Sequence, residues 1–105
     1  MKHVIGLDVS KGKSTVTIYD SYRQCKYEGE INHTRRDFEQ LHKRIVDITS
    51  LDDQAPDIVF EATGVYSKPI ETFLKDYGYA YCRMNPLEPT YIQDDYYEQM
   101  RALTR

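Results

Sequence analysis

The chain has 105 residues, which is the size of one compact domain. Its formal net charge of −3 gives no overall positive field for nucleic acid, which argues against a simple DNA-binding module. No apolar segment approaches the roughly 20 residues that cross a bilayer. The N-terminus also has no signal-peptide core, so we expect a cytoplasmic protein with no membrane association. Cys25 and Cys82 have no CxxC or Cys/His pattern around them, which predicts reduced apolar fillers and no zinc site.

The first third of the chain alternates apolar and polar residues with the period of β-strands. Residues 3–9 and 14–20 show this alternation, and residues 25–31 predict a third, edge-like strand. The turns at 10–13 and 20–24 are short, so the three strands should form an antiparallel meander.

The apolar spacing then changes to that of a helix. Thr34 and Asp37 resemble a capping box, and an apolar stripe at helical spacing begins at Phe38. His42 lies beside this stripe, and we interpret it as a surface or hydrogen-bonded histidine rather than a catalytic one. Residues 50–57 are polar and predict a loop.

The next segment predicts a central strand, a helix and a further strand. Residues 58–60 are continuously apolar, which is typical of a parallel strand covered on both faces. A helix should begin near Tyr66 or Ser67 and end before Gly78, which suits the position after a helix terminus. Residues 79–84 predict a fifth strand.

The predicted order of elements is β-β-β-α-β-α-β-α, with a poorly marked last helix at 87–105. Parallel strands joined by a helix tend to be neighbours, and their connection is right-handed. The economical arrangement is an α/β domain with one mixed five-stranded sheet, in the order 3-2-1-4-5, flanked by helices. This is the plan of the ribonuclease H-like fold.

Two acidic residues stand at the ends of two strands that this arrangement makes neighbours. Asp8 is near the C-terminal end of strand 1, and Glu61 is at the C-terminal end of strand 4. Open α/β sheets have their sites at this end. Adjacent ionised carboxylates repel each other, which favours a cation between them, and oxygen ligands suit Mg²⁺ or Mn²⁺. Each acid alone has a structural explanation, as a hydrogen-bonded strand residue or a helix N-terminal charge. As a pair, they predict a metal site.

Residues beside the two acids are candidates for shaping the site or contacting a nucleic acid. Thr63 and Gly64 could present backbone N–H groups to an anion at a helix start, although an ordinary strand-to-helix turn explains them equally well. Ser10 and Lys11 lie in the turn after strand 1, where a lysine could touch a phosphate and where a solvated turn is the alternative. Tyr66 follows the same turn as Thr63 and Gly64.

Four motifs resemble, in the same order, the N-terminal half of the IS110-type DEDD insertion-sequence transposases, the relatives of the Piv pilin-gene invertase. They are "GLDVSKG", "EATGVY", a helix closed by Gly78, and the "NP" of residues 85–86. The resemblance implies a RuvC-like nuclease domain of a Mg²⁺-dependent DNA transposase or site-specific recombinase. It implies that Asp8 and Glu61 are two of four acidic residues that bind two Mg²⁺ ions. It also implies DNA as the partner, a homo-oligomer in the full-length protein, and a structured guide RNA in some members.

The other two acidic residues of the family belong to a K-T-D-x-x-D-A motif, which does not occur in these 105 residues. Asp94 and Asp95 do not fit that motif and receive no role. We therefore expect residues 1–105 to be a single N-terminal, C-terminally incomplete domain. It should bind metal weakly, be inactive alone, and carry a loosely attached helix at 87–105.

Three other functions stay open at this point. A Holliday-junction resolvase-like nuclease domain would share the fold and the metals, but would need its last carboxylate within the chain. A catalytically inactive assembly fragment is compatible with a transposase as the parent protein. An actin-like kinase half-domain would use residues 6–20 as its phosphate hairpin, but 105 residues leave no room for the second lobe.

Overall fold

A computed structural model describes residues 2–61 and 66–84, and every structural statement below concerns these residues. They form one five-stranded sheet in the order β3-β2-β1-β4-β5 and two helices, which confirms the predicted ribonuclease H-like plan. The elements are β1 Val4–Ser10, β2 Lys13–Tyr19, β3 Cys25–Asn32, α1 Arg35–Asp52, β4 Asp57–Glu61, α2 Lys68–Asp76 and β5 Cys82–Met84. The predictions for Thr63, Gly64 and a helix at 87–105 lie outside the described residues.

The first three strands form the predicted antiparallel meander. β1 pairs with β2 from Val4 opposite Tyr19 to Ser10 opposite Lys13, and β2 pairs with β3. The two-residue turn between β1 and β2 contains Gly12 at φ 74°, a conformation that glycine adopts without steric cost. The backbone N–H of His33 donates to the carbonyl of Gly12 at 2.9 Å, which ties this turn to the end of β3.

Both described helices pack on one face of the sheet. The two crossovers between parallel strands, β3 to β4 through α1 and β4 to β5 through α2, run in the same direction across the sheet. Connections of one hand therefore bring α1 and α2 to the same side. The core on this side joins one face of four strands to the apolar stripes of both helices. Its buried members are Ile5, Leu7, Val16, Ile18, Leu41, Ile45, Ile58, Phe60, Ile70, Phe73 and Leu74.

The opposite face of the central strands is also covered. Val59 alternates with the core residues Ile58 and Phe60 of β4, Met84 ends β5, and the side chains of Val59 and Met84 are fully buried. This burial on both faces confirms the prediction made from the apolar run at 58–60.

Helix α1 begins as predicted but ends later. The side chain of Thr34 accepts a hydrogen bond from the N–H of Asp37 at 3.2 Å, as a capping residue does. The carboxylate of Asp37 accepts from the N–H of Asn32 at 2.7 Å, instead of closing the reciprocal bond of a capping box. The helix continues to Asp52, so the loop predicted at 50–57 begins too early. Asp52 accepts 2.9 Å and 2.6 Å hydrogen bonds from the backbone and ring of His3, which anchors the last turn against β1.

Helix α2 ends in two backbone hydrogen bonds that shorten the next strand. Gly78, at φ 75°, donates to the carbonyl of Lys75 at 3.0 Å, and Tyr79 donates to the carbonyl of Leu74 at 2.8 Å. These two bonds form a Schellman arrangement, and they confirm the prediction that Gly78 follows the end of the helix. The backbone N–H of Tyr79 is therefore used by the helix end, and β5 covers only Cys82–Met84 instead of the predicted 79–84.

The two cysteines are both free, and only one resembles a filler. Cys82 is half-buried, and burial raises the pKa of its thiol. Cys25 is exposed because it begins the edge strand β3, so its prediction as a filler is wrong.

Candidate functional site

Asp8 and Glu61 are directly opposite each other on neighbouring parallel strands. β1 and β4 pair from Val4 with Asp57 to Asp8 with Glu61. Neighbouring strands lie about 4.8 Å apart, and side chains alternate between the two faces of a sheet. Both carboxylates therefore belong to the same face, the one opposite α1 and α2, because their chain neighbours Leu7 and Phe60 lie in the core. Asp8 is exposed and Glu61 is half-buried.

The described residues supply two carboxylates to this site. Among residues 2–61 and 66–84, no group of three or more His, Cys, Asp or Glu residues could hold a metal ion. Two oxygen ligands in register fit a hard cation such as Mg²⁺, which usually binds one or two carboxylates, keeps several waters and contacts substrate phosphates. The donor set therefore fits part of a Mg²⁺ or Mn²⁺ site.

The turn after β1 lies at the same end of the sheet as the two acids. Ser10 donates its hydroxyl hydrogen bond to the carbonyl of Lys13 at 3.2 Å, so this side chain closes the turn. Lys11 is exposed, and the ammonium of Lys13 lies 3.5 Å from a carboxylate oxygen of Glu30. The exposed side chain of Lys11 could contact a ligand. An ordinary solvated turn would place this lysine in the same way.

The approach to α2 places Tyr66 at the surface just before the helix. Ser67, the residue that precedes the first helical residue, makes no capping hydrogen bond with its side chain. Its hydroxyl instead donates to the carboxylate of Glu71 at 3.2 Å, and Arg83 lies 3.8 Å from the same carboxylate oxygen.

Sequence reasoning missed a half-buried histidine, His33, that supports the turn after β1. Nε2 of His33 lies 2.7 Å from the hydroxyl of Ser14, which is buried, and no described residue pairs with its buried Nδ1. In the tautomer protonated at Nε2, this nitrogen donates a hydrogen bond to the hydroxyl of Ser14, and Nδ1 is an acceptor without a hydrogen-bond donor among the described residues. A second proton would be buried without an acceptor, and burial lowers the pKa of His33. The only sequence signal was its position before the helix cap Thr34.

The stability of the fold should depend on the protonation of His33. Its pKa in the folded state lies below the ordinary value of about 6.5, so the unfolded chain binds more protons near that pH. The free energy of unfolding should therefore be highest above about pH 6.5 and fall as the pH is lowered toward 5. Urea denaturation at several pH values should show this fall, with a smaller fall in His33→Gln. Equal falls in both proteins would contradict this assignment.

His42, which the sequence indicated to be a surface or hydrogen-bonded histidine, is hydrogen-bonded in the structure. The ring of His42 stacks on Tyr77 at 4.2 Å between centroids, and its Nδ1 makes a hydrogen bond with the hydroxyl of Tyr79. His42 is thus held between the helices, on the side of the sheet opposite the two acids.

The family model of the IS110-type DEDD transposases matches residues 5–101. The chain therefore belongs to this transposase family. No curated protein sequence gives a significant match. Neither described helix is long and apolar enough to span a membrane; the cytoplasmic location stays a prediction.

Solved structures similar in fold include two Holliday junction resolvases. The structure of RuvC from T. thermophilus in complex with Holliday junction substrate has a TM-score of 0.49 and 8% identity over 83% of this chain. The fowlpox virus Holliday junction resolvase gives 0.48 and 15% over 85%, and YeaZ from Pseudomonas aeruginosa gives 0.44 and 12% over 81%. The chain spans 66%, 65% and 44% of those three structures, respectively, which is less than two thirds of each.

Proposed function

We propose that the chain is the N-terminal, metal-binding part of a DNA transposase or site-specific recombinase that acts on phosphodiester bonds. Asp8 and Glu61 would be its metal ligands. The observation that supports this proposal is their position opposite each other on β1 and β4, on one face of the sheet. Membership of the transposase family supports DNA as the substrate.

The two carboxylates are placed by the core rather than by each other. Leu7 and Phe60 are fully buried next to them in the chain, which fixes the backbone of both strand ends. Asp8 and Glu61 would then bind the ion and orient it toward a phosphate of the DNA. The divalent ion would supply activation of a water or hydroxyl and stabilisation of the leaving oxygen.

The third and fourth acids would come from a K-T-D-x-x-D-A motif, which these 105 residues do not contain. We therefore propose that residues 1–105 form an incomplete domain, which binds metal weakly and does not cut DNA alone. Assembly of the whole protein as a homo-oligomer and its use of a guide RNA stay predictions from the family resemblance.

A titration with Mn²⁺, followed by NMR line broadening, tests the metal site directly. We expect broadening centred on residues 6–10 and around Glu61, because a paramagnetic ion relaxes the nuclei nearest to it. The Asp8→Asn variant should lose this broadening. Asp53→Asn is the matched control, because Asp53 is exposed at the other end of the sheet, after α1.

Broadening that survives in Asp8→Asn would show that the ion binds elsewhere. If the wild-type chain shows no localised broadening, the same titration on a longer chain with the K-T-D-x-x-D-A motif decides the matter. Broadening there would mean that the remaining acids are required for binding. Its absence there too would mean that Asp8 and Glu61 are structural.

A further inference from the structure

The two helices enclose an open groove on the face of the sheet opposite the carboxylates. This helix groove has a volume of about 910 Å³ and runs along α2 beside the N-terminal part of α1. Phe38, Phe73 and Tyr77 form its apolar part. Arg35 and Lys68 line the end of the groove at which both helices begin, which we call its mouth. It is separate from the site of Asp8 and Glu61, and the proposed function does not use it.

The aromatic rings of the helix groove make a continuous apolar surface. Phe38 and Phe73 stack at 4.8 Å between centroids with an interplanar angle of 10°, and Tyr77 meets Phe73 edge-on at 5.1 Å. Phe73 is buried beneath them, whereas Phe38 is half-buried and Tyr77 is 42% exposed. The ring of His33 stacks on Phe38 at 5.8 Å between centroids, and His42 covers one face of Tyr77. The remaining face of Tyr77 is therefore the surface on which an unpaired nucleobase can stack.

The mouth of the groove favours negative charge. Arg35 and Lys68 are the first residues of α1 and α2, where the helix dipoles place partial positive charge. The side chain of Arg35 is 93% exposed, and its ion pair with Glu39, at 3.2 Å, is a surface pair worth little. Asp76 lies at the opposite end of the groove, so the charge is polarised along it.

The mouth of the groove lies at the end of the sheet that carries the carboxylates. β3 and β1 are both antiparallel to β2, so β3 and β1 run in the same direction, and α1 follows β3 at the end where β1 finishes. β4 is parallel to β1, so α2 also begins at that end. A flexible strand could therefore pass over this end of the sheet from one face to the other.

We propose that the helix groove binds an unpaired strand of nucleic acid. A base stacks on Tyr77, beside Phe38, and the phosphates contact Arg35 and Lys68. A polar peptide would contact only the two cations, and an aliphatic ligand would contact only the rings. A single strand of nucleic acid contacts both. The site requires no metal, so it stands or falls separately from the proposed function.

Fluorescence anisotropy with a labelled oligothymidine of about 12 nucleotides, in EDTA, tests the groove. We expect a dissociation constant on the order of 10⁻⁵ M that weakens with salt. The double variant Arg35→Glu/Lys68→Glu should bind at least about tenfold more weakly. It should also flatten the slope of log K against log salt by about 1.4, since each single-strand phosphate contact contributes about 0.7. Arg23→Glu/Lys75→Glu makes the same change in net charge at exposed positions outside the groove, and should stay within about twofold of wild type.

Two tyrosines test the stacking contact: Tyr77, which lines the groove, and Tyr22, which is exposed elsewhere and serves as the control. Tyr77→Ser should weaken binding by about tenfold, because one stacked base contributes about 1–3 kcal/mol. Tyr77→Phe should restore it, and Tyr22→Ser, at an exposed tyrosine in the turn after β2, should change nothing. A duplex of the same length should bind more weakly than the single strand, since its bases are already stacked. Unfolding midpoints of the variants show that the fold is kept.

Several results would overturn the proposal. They are no saturable binding, equal losses in the groove and control variants, equal affinity for duplex and single strand, or binding of an acidic aromatic peptide in place of the oligonucleotide.

Discussion

Replacing Asp8 with Asn in a complete transposase that contains this chain is expected to reduce transposition by a factor of about 10³ or more. The change keeps the shape of the side chain but removes the negative charge that would hold a divalent ion. Stabilisation of transition-state charge by such an ion is worth several kcal/mol, and each 1.36 kcal/mol is tenfold in rate. Counting transposition events in cells, with protein levels matched, measures the effect.

The matched control for this prediction is Asp53→Asn. Asp53 follows α1 at φ 56°, a left-handed conformation that asparagine also adopts readily, and it is exposed. Its replacement should leave transposition unchanged. Glu61→Gln should reduce activity as severely as Asp8→Asn, and the double variant should lose little more, because ligands of one site act as a unit. Unimpaired transposition in Asp8→Asn would remove the metal site from the proposal.

Much of the fold was predictable because the strands are marked by local patterns. β1 and β2 alternate with period 2, and the run at 58–60 is too apolar for an edge strand. Right-handed connections then leave few possible strand orders. The pairing of Asp8 with Glu61 follows from that order, since both stand at the C-terminal ends of neighbouring parallel strands. The position of the candidate site could therefore be predicted from the sequence.

The features that the sequence did not reveal depend on contacts between distant segments. Helix α1 extends to Asp52, past the start of the loop predicted at residue 50. Asp52 in this last turn binds His3, which is 49 residues away in the chain. The role of His33 depends on Ser14, which lies on a different strand. Helical periodicity identified Phe38 as an apolar position, but it could not show that this ring borders an open groove.

The Leu7→Ala variant is expected to lower the free energy of unfolding by about 2.7–5 kcal/mol. Leu7 is fully buried in the core beneath the helices, so the shorter side chain leaves a cavity and loses the transfer free energy of the removed carbons. Urea denaturation monitored by circular dichroism measures the change. Leu51→Ala is the matched control: the same atoms are removed from a side chain that is 76% exposed on α1, and the expected loss is below about 0.5 kcal/mol.

The difference between these two leucines also tests the placement of the site. A domain of this kind has a total stability of only about 5–15 kcal/mol, so Leu7→Ala should visibly raise the unfolded fraction. A loss of less than about 1 kcal/mol would mean that Leu7 does not face the core. Because side chains alternate along β1, Asp8 would then face the helices, and it could not share a metal with Glu61 on the opposite face. A large loss in Leu7→Ala with none in Leu51→Ala supports the register on which the proposed metal site depends.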